Sequence, residues 1–264
     1  MDKATDGFGL LLKWQDEIKE AMLAGCDRKI GPYPCCSVVE GDCLELMKAL
    51  PDECVDAVIT DPPYGIAFDY GTDYKDSKRD YPELMNTLVS ESSRISPCWA
   101  IFQAAKNAPK WGAWFGDNFR LIALPKLFGQ WMPCHIQWRT DYVLLSGGVQ
   151  TGNRKWETIY EPRDFFQSSA VCVTNGPNAR PDHPCPRPID SMMFLVETIV
   201  PRGGTVIDPF FGSGTTGVAA RRLERHFLGF EREPKYITVA RKRLAEIDAQ
   251  PSLFEPQPVQ ERLL

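Results

Sequence analysis

Asp61-Pro62-Pro63-Tyr64 places a carboxylate, two prolines and an aromatic ring directly after the apolar run Val55-Asp56-Ala57-Val58-Ile59-Thr60. The run predicts a buried strand. The prolines must end it, because they cannot donate to a sheet ladder. Left at the strand end are an acceptor side chain, free backbone carbonyls and a flat stacking surface. That set suits a planar group bearing an NH2, such as the exocyclic amine of a nucleobase. A proline pair leaving a sheet is also an ordinary turn, so the motif needs a second observation to support it.

The second observation lies far downstream, in Val206-Ile207-Asp208-Pro209-Phe210-Phe211-Gly212-Ser213-Gly214-Thr215-Thr216. The pattern predicts a strand over 205–207, an acid, a glycine-rich turn and a helix over 215–223. This is the strand–loop–helix unit of a nucleotide-binding sheet. Gly212 and Gly214 permit a tight turn and close approach of the backbone to a ligand. A second strand, His226-Phe227-Leu228-Gly229-Phe230-Glu231, ends in an acid 23 residues after Asp208. At a spacing of about 20 residues such an acid meets ribose hydroxyls. No Lys follows the second glycine, and the third glycine of the dinucleotide fingerprint is missing. An acid at the loop mouth would repel a pyrophosphate and welcome an amino group. The implied ligand has a ribose, a cationic end and no phosphate, and S-adenosylmethionine fits.

With both motifs in view, the chain resembles a DNA amino-methyltransferase of the adenine-N6 or cytosine-N4 type. It is similar to the subgroup in which the DPPY motif precedes the DPxxGSGTT cofactor motif. Gly41-Asp42-Cys43-Leu44 and His183-Pro184-Cys185-Pro186-Arg187-Pro188 match supporting segments of that subgroup. The matching blocks cover roughly 37–70 and 183–248. The family segment around His183 usually carries a polar residue and Lys where this chain has Cys185 and Arg187.

The resemblance implies an α/β fold: a doubly wound, Rossmann-like methyltransferase sheet with circularly permuted motif order and a small target-recognition insertion. The expected organisation is an N-terminal extension over 1–36, a methyltransferase domain over 37–250 with the insertion at about 105–180, and a flexible tail over 251–264. The cofactor implied is S-adenosylmethionine and the substrate is DNA, with methyl transfer directly to a flipped-out base. Asp61, Pro62, Pro63 and Tyr64 are the expected catalytic residues. Asp61 and the Pro62 carbonyl would hold the amine and Tyr64 would stack on the base, its hydroxyl having no role. Asp42, Asp208, Phe210, Gly212, Gly214, Thr215 and Glu231 are the expected cofactor residues. By resemblance Asp208 faces the methionine amino group, Glu231 the ribose and Asp42 the cofactor adenine. Asp61 as leading residue favours adenine N6. Cytosine N4 is the first alternative, and an RNA amino-methyltransferase, a nucleotide-binding oxidoreductase and an inactive DNA-binding module are more remote. A homodimer and a cognate restriction enzyme are the partners considered.

The other elements serve to position these motifs. Strands are predicted at 37–40, 55–60, 99–102, 119–124 and 135–138, and helices at 9–24, 44–50, 81–95 and 189–200. The loop at 66–80 could order over a target base or simply connect. Of Trp111, Trp114, Trp131, Trp138 and Trp156, most are expected in the core behind the sheet. Ser146-Gly147-Gly148-Val149-Gln150-Thr151-Gly152-Asn153-Arg154-Lys155-Trp156 and the connector holding Arg180 supply the candidate DNA contacts Arg154, Lys155 and Arg180.

A net charge of −5 requires any phosphate-binding surface to be local. No apolar run is long enough for a membrane span, and the first residues do not read as a signal peptide, so a cytoplasmic enzyme is expected. Nine cysteines at irregular spacing argue against a disulfide framework. With no CxxC pair, reduced and partly buried thiols and no metal site are predicted.

Overall fold

A computed structural model describes residues 26–65, 76–117, 119–125, 140–147, 166–167 and 187–249. The chain opens with a small hairpin, β1 (Lys29–Ile30) and β2 (Tyr33–Pro34). Then follow β3 (Ser37–Glu40), α1 (Cys43–Lys48), β4 (Ala57–Thr60), α2 (Tyr81–Ile95) and β5 (Trp99–Gln103). A 3-10 turn (Ala105–Lys110) leads into α3 (Trp111–Phe115), β6 (Phe119–Pro125) and β7 (Thr140–Ser146). The last third holds α4 (Ile189–Ile199), β8 (Thr205–Asp208), α5 (Thr215–Arg222), β9 (His226–Glu231) and α6 (Pro234–Asp248).

Seven strands form one sheet in the order β3-β9-β8-β4-β5-β7-β6. The first five are parallel, and β7 runs antiparallel to both neighbours. Strands β4, β5, β8 and β9 are apolar and buried almost throughout, as a sheet covered on both faces requires. The helices pack in two groups, α1 with α2 and α3, and α4 with α5 and α6. Right-handed crossovers between parallel strands put one group on each face. Helix α2 shows how the sequence sets this up: Tyr81, Met85, Leu88, Ser92 and Ile95 recur at three- and four-residue steps and are all buried.

The order of the sheet explains the order of the motifs. β4, which carries the proline motif, comes early in the chain, and β8, which carries the glycine loop, comes late. They nevertheless pair directly and in parallel, with Ala57 opposite Val206 and Val58 opposite Ile207. Both motifs therefore leave the sheet at the carboxyl ends of adjacent strands, where open α/β sheets bind ligands.

Five elements were not in the sequence reading: β1, β2, β7, α3 and α6. β7 was not predicted: its apolar core is only Val143-Leu144-Leu145, and it runs into glycines that read as a loop. β1 and β2 occupy a stretch read as a turn. Both β6 and β7 belong to the main sheet, so the sheet continues into the span expected to be inserted. Trp111 and Trp114 are buried as expected. Trp131, Trp138, Trp156, the strand at 135–138 and the helix at 9–24 lie outside the described residues.

Phe211 anchors the glycine loop by lying against Gly229 of β9 and Gly217 of α5. A methyl group at Gly229 would sit 2.3 Å from the Phe211 ring, and one at Gly217 would sit 2.6 Å away. Gly229→Ala should therefore cost about 1–3 kcal/mol through overpacking, lowering the melting temperature by several degrees. Combining it with Phe211→Leu should recover part of that loss, since the two sites share one contact. Calorimetric melting of both variants checks this.

Candidate active site

Asp208 and Thr60 fasten the two motifs together. The Thr60 hydroxyl donates to Asp208 Oδ1 at 2.7 Å, and the Thr216 hydroxyl of α5 donates to Oδ2 at 2.6 Å. The Phe210 amide donates to Oδ1 at 3.1 Å. Thr60 is the last residue of β4 and directly precedes Asp61, so one carboxyl group joins β4, the loop after β8 and α5. At the other end of the same strands, Asp56 accepts from the Thr205 amide at 2.8 Å. Asp208 was expected at the loop mouth, facing an amino group. It is instead 4% exposed and turned back into the sheet. Burial pushes its carboxyl up to about 7, against the three hydrogen bonds, which favour the charged form.

Asp61 does not stand open either. Arg187 grips it through Nε at 2.5 Å from Oδ2 and through a second nitrogen at 2.9 Å from Oδ1. The same guanidinium reaches Asp141 of β7 at 2.7 Å and lies 4.9 Å over the Phe102 ring of β5. Tyr64 donates from its hydroxyl to Asp61 Oδ1 at 2.5 Å, and Arg187 in turn donates to that hydroxyl. This corrects the reading that gave the Tyr64 hydroxyl no role. Burial and the two carboxylates hold the phenol well above its usual range, with Arg187 opposing.

The chain beyond Tyr64 is fixed as well. Asn107 donates to the Tyr64 carbonyl at 3.1 Å, and the Gly65 amide donates to Asp76 at 2.6 Å. Gly65 has φ +63°, and a methyl group there would strike Tyr81 at 2.6 Å. Tyr81 is itself held by Gln103, whose side-chain oxygen accepts from its hydroxyl at 2.9 Å. Pro62 and Pro63 are buried.

The glycine loop is pre-set by its neighbours. Glu231, at the end of β9, accepts the Gly212 amide at 2.7 Å and the Arg232 and Glu233 amides at 2.9 Å each. Burial raises its carboxyl, and the three amides pull the other way. Arg243 of α6 donates to the Ser213 carbonyl at 2.5 Å and to the Thr215 hydroxyl at 3.2 Å. Gly212 and Gly214 take the left-handed conformation that only glycine adopts cheaply, at φ +53° and +79°. Asp42 caps α1 by accepting the Leu44 and Glu45 amides at 3.0 and 3.3 Å. The preceding Gly41 donates to the Glu231 carbonyl at 3.0 Å, which brings Asp42 to the end of β9.

This arrangement discriminates between cofactors. The amides of Phe210 and Gly212 are taken by carboxylates, and those of Phe211 and Gly214 by carbonyls. These four donors are committed before any phosphate arrives. The loop also carries buried acid beside them, which fits an aminoacyl nucleoside better than a pyrophosphate.

Sequence reasoning missed Thr60, Thr216, Asp141, Asn107 and Arg243. Thr60 lay inside an apparently apolar run, Thr216 closed the glycine-loop motif with no partner visible in sequence, and Asp141, Asn107 and Arg243 stand far away with no motif around them. Arg154, Lys155, Arg180, His183 and Cys185 lie outside the described residues.

A mostly parallel sheet with a glycine loop and an acid–proline–aromatic motif on adjacent strand ends defines a Rossmann-like methyltransferase. The family model described as DNA methylase matches residues 100–242, more than half of the chain. The chain belongs to that family, the N6/N4 DNA amino-methyltransferases, and with it comes the methyl donor S-adenosylmethionine. A type II methyltransferase of Haemophilus influenzae, M.HinfI, is 26% identical over 255 residues, covering 83% of this chain and 71% of that protein. Among solved structures, the M1.HpyAVI–SAM complex superposes with a TM-score of 0.57 at 24% identity, covering 79% of this chain and 98% of that one. The cytosine-N4-specific PvuII DNA methyltransferase does so with a TM-score of 0.58 at 17% identity, covering 80% and 90%. These structures share the fold. Among the described residues no helix is long and apolar enough to cross a membrane.

The raised carboxyl of Asp208 has a testable sign. Between its unfolded value near 3.8 and about 7, the native state holds a proton that the unfolded state has lost. Stability contributed by Asp208 is therefore full below pH ~4 and falls as pH rises towards 7. The stability difference between wild type and Asp208→Asn, from urea titrations across that range, should shift towards the variant with rising pH and flatten above it. A difference independent of pH would contradict the protonation.

Proposed function

We propose that this protein methylates adenine N6 in DNA, taking the base out of the duplex into the space beside Asp61. The supporting observation is the parallel pairing of β4 with β8, which sets the Asp61 motif next to the Asp208 loop. S-Adenosylmethionine, when bound, supplies an electrophilic methyl on sulfur. Glu231 would hold its ribose and Asp42 its adenine, over a loop shaped by Phe210, Gly212, Gly214 and Thr215. Asp208 serves as a positioning residue, since its oxygens already hold Thr60, Thr216 and Phe210.

The exocyclic amine of adenine is a poor nucleophile because its lone pair is delocalised into the ring. Asp61 and the Pro62 carbonyl accept its two N–H bonds, which favours a tetrahedral nitrogen with a localised lone pair. The nitrogen lone pair then takes the methyl as its bond to sulfur breaks, leaving S-adenosylhomocysteine, and the surplus N–H proton is lost to solvent, with no covalent adduct to the protein. Asp61 must first leave Arg187, which keeps Asp141 as its partner. Tyr64 stacks on the base while its hydroxyl aligns Asp61. A base inside a duplex cannot enter such a site, hence the flipping. Target reading falls to the segments between β6 and β7 and between β7 and α4, where Arg154, Lys155 and Arg180 would contact phosphates. A homodimer and a cognate restriction enzyme are further proposals that rest on the family resemblance.

Digestion of methylated DNA to nucleosides, with mass spectrometry of the product, should yield N6-methyladenine. N4-methylcytosine would overturn the choice of base and leave the chemistry standing. Label in RNA alone would overturn the substrate class. Stacking on an aromatic is worth ~1–3 kcal/mol, so Tyr64→Ala should lose about one to two decades in kcat/KM. Tyr64→Phe should fall between it and wild type, because the hydroxyl contacts Asp61.

A further inference from the structure

Three cysteines and a histidine converge at the amino-terminal ends of β3 and β9, at the opposite end of the strands from the site. His226 opens β9, whereas Glu231 closes it, so about 16 Å of strand separates them. His226 Nδ1 lies 3.3 Å from Cys35 Sγ, 3.5 Å from Cys26 Sγ and 3.6 Å from Cys36 Sγ. Cys35 and Cys36 Sγ are 3.7 Å apart, and all four ligand atoms lie within 4.8 Å of one another. We propose that Cys26, Cys35, Cys36 and His226 form a structural zinc site that pins the β1–β2 hairpin to the start of β9.

Three observations carry this. The first is size. With Zn–S about 2.3 Å and Zn–N about 2.0–2.1 Å, a tetrahedral centre has S···S edges of about 3.8 Å and S···N edges of about 3.6 Å. The four distances above, three S···N and one S···S, match those edges. The second is valence. A neutral imidazole nitrogen has one lone pair and can accept a single S–H bond, yet three sulfurs crowd this one. A cation bound by three thiolates and the imidazole satisfies all four atoms.

The third is the backbone. Successive side chains of an extended chain point in opposite directions, which would separate Cys35 from Cys36. Cys36 instead adopts φ +57°, a conformation that non-glycine residues rarely take, and both thiols face the same histidine. The turn is locked by the Cys36 amide donating to the Phe227 carbonyl at 2.7 Å and the Cys35 amide to the Arg28 carbonyl at 2.9 Å. A hairpin of two-residue strands is marginal by itself, and a metal staple is a common remedy for so small an element.

Spacing pointed away from metal because there is no CxxC pair. The histidine ligand comes from 190 residues beyond Cys36, and the fold alone unites them. All four ligand positions are taken by side chains, so the site is closed and structural rather than catalytic.

The test is metal analysis of the full chain, purified without chelators and freed of any affinity tag. About one zinc per chain is expected, and almost none in a Cys35→Ser/Cys36→Ser variant. Cys98→Ser, which removes a buried thiol outside the cluster, should keep the metal. Exchange into cobalt should give the intense visible bands of a tetrahedral thiolate site. His226→Cys should preserve stoichiometry with an altered cobalt spectrum. Stripping zinc from wild type should lower the melting temperature, and zinc should restore it. Zinc-free wild type whose melting temperature does not respond to added zinc overturns the proposal, whatever the variants do. So does a Cys35–Cys36 disulfide in freshly purified protein, or zinc retained in full by the double variant.

Discussion

The hydrogen bond from Thr60 to the buried carboxylate of Asp208 is the constraint on which the site depends. It crosses between two strands that are neighbours in space and 148 residues apart in sequence. Main-chain pairing alone sets β4 beside β8. The side-chain clasp then fixes how far each strand end advances, and with it where Asp61 and the glycine loop face each other. A buried carboxyl group is expensive to desolvate, and this one is retained with three donors around it. Those donors belong to β4, the glycine loop and α5, so disturbing any of them disturbs the others.

The second constraint is electrostatic. Asp61 is useful to an amine only as an acceptor with room to spare, yet a half-buried carboxylate without a partner is costly. Arg187 resolves this by holding Asp61 together with Asp141 while stacking over Phe102. Because Asp141 also pairs with the guanidinium, Arg187 would keep an anionic partner if Asp61 turned to another donor. Tyr64 ties this pair together, since its hydroxyl contacts both Asp61 and Arg187.

Much of this was legible from residue order because strand ends carry recognisable chemistry. The proline pair stops β4, the glycines open the turn after β8, and an acid ends β9, each for a local steric or electrostatic reason. Helix α2 was readable to its ends from its apolar period. What stayed hidden depends on tertiary proximity. Thr60 looks like one more β-branched residue in a strand, and only pairing with β8 gives its hydroxyl a purpose. Asp208 reads as an acid at a mouth, whereas packing turns it inward. Arg187 was visible only as a departure from the family's usual Lys. The cysteines of the N-terminal region looked like scattered thiols until β9 brought His226 among them. β7 escaped because three apolar residues are too short a signal in a strand flanked on both sides.

The central claim is a division of labour between two adjacent strand ends, Asp61 acting on the substrate amine and the Glu231-bound loop on the cofactor. Calorimetric titration of S-adenosylmethionine into Asp61→Ala and Glu231→Ala, paired with a methyl-transfer assay on DNA, measures that division directly. The account predicts near wild-type cofactor affinity and lost transfer for Asp61→Ala, with affinity weakened at least about tenfold, or roughly 1.4 kcal/mol, for Glu231→Ala. Active Asp61→Ala, or equal loss of cofactor affinity in both variants, would contradict it.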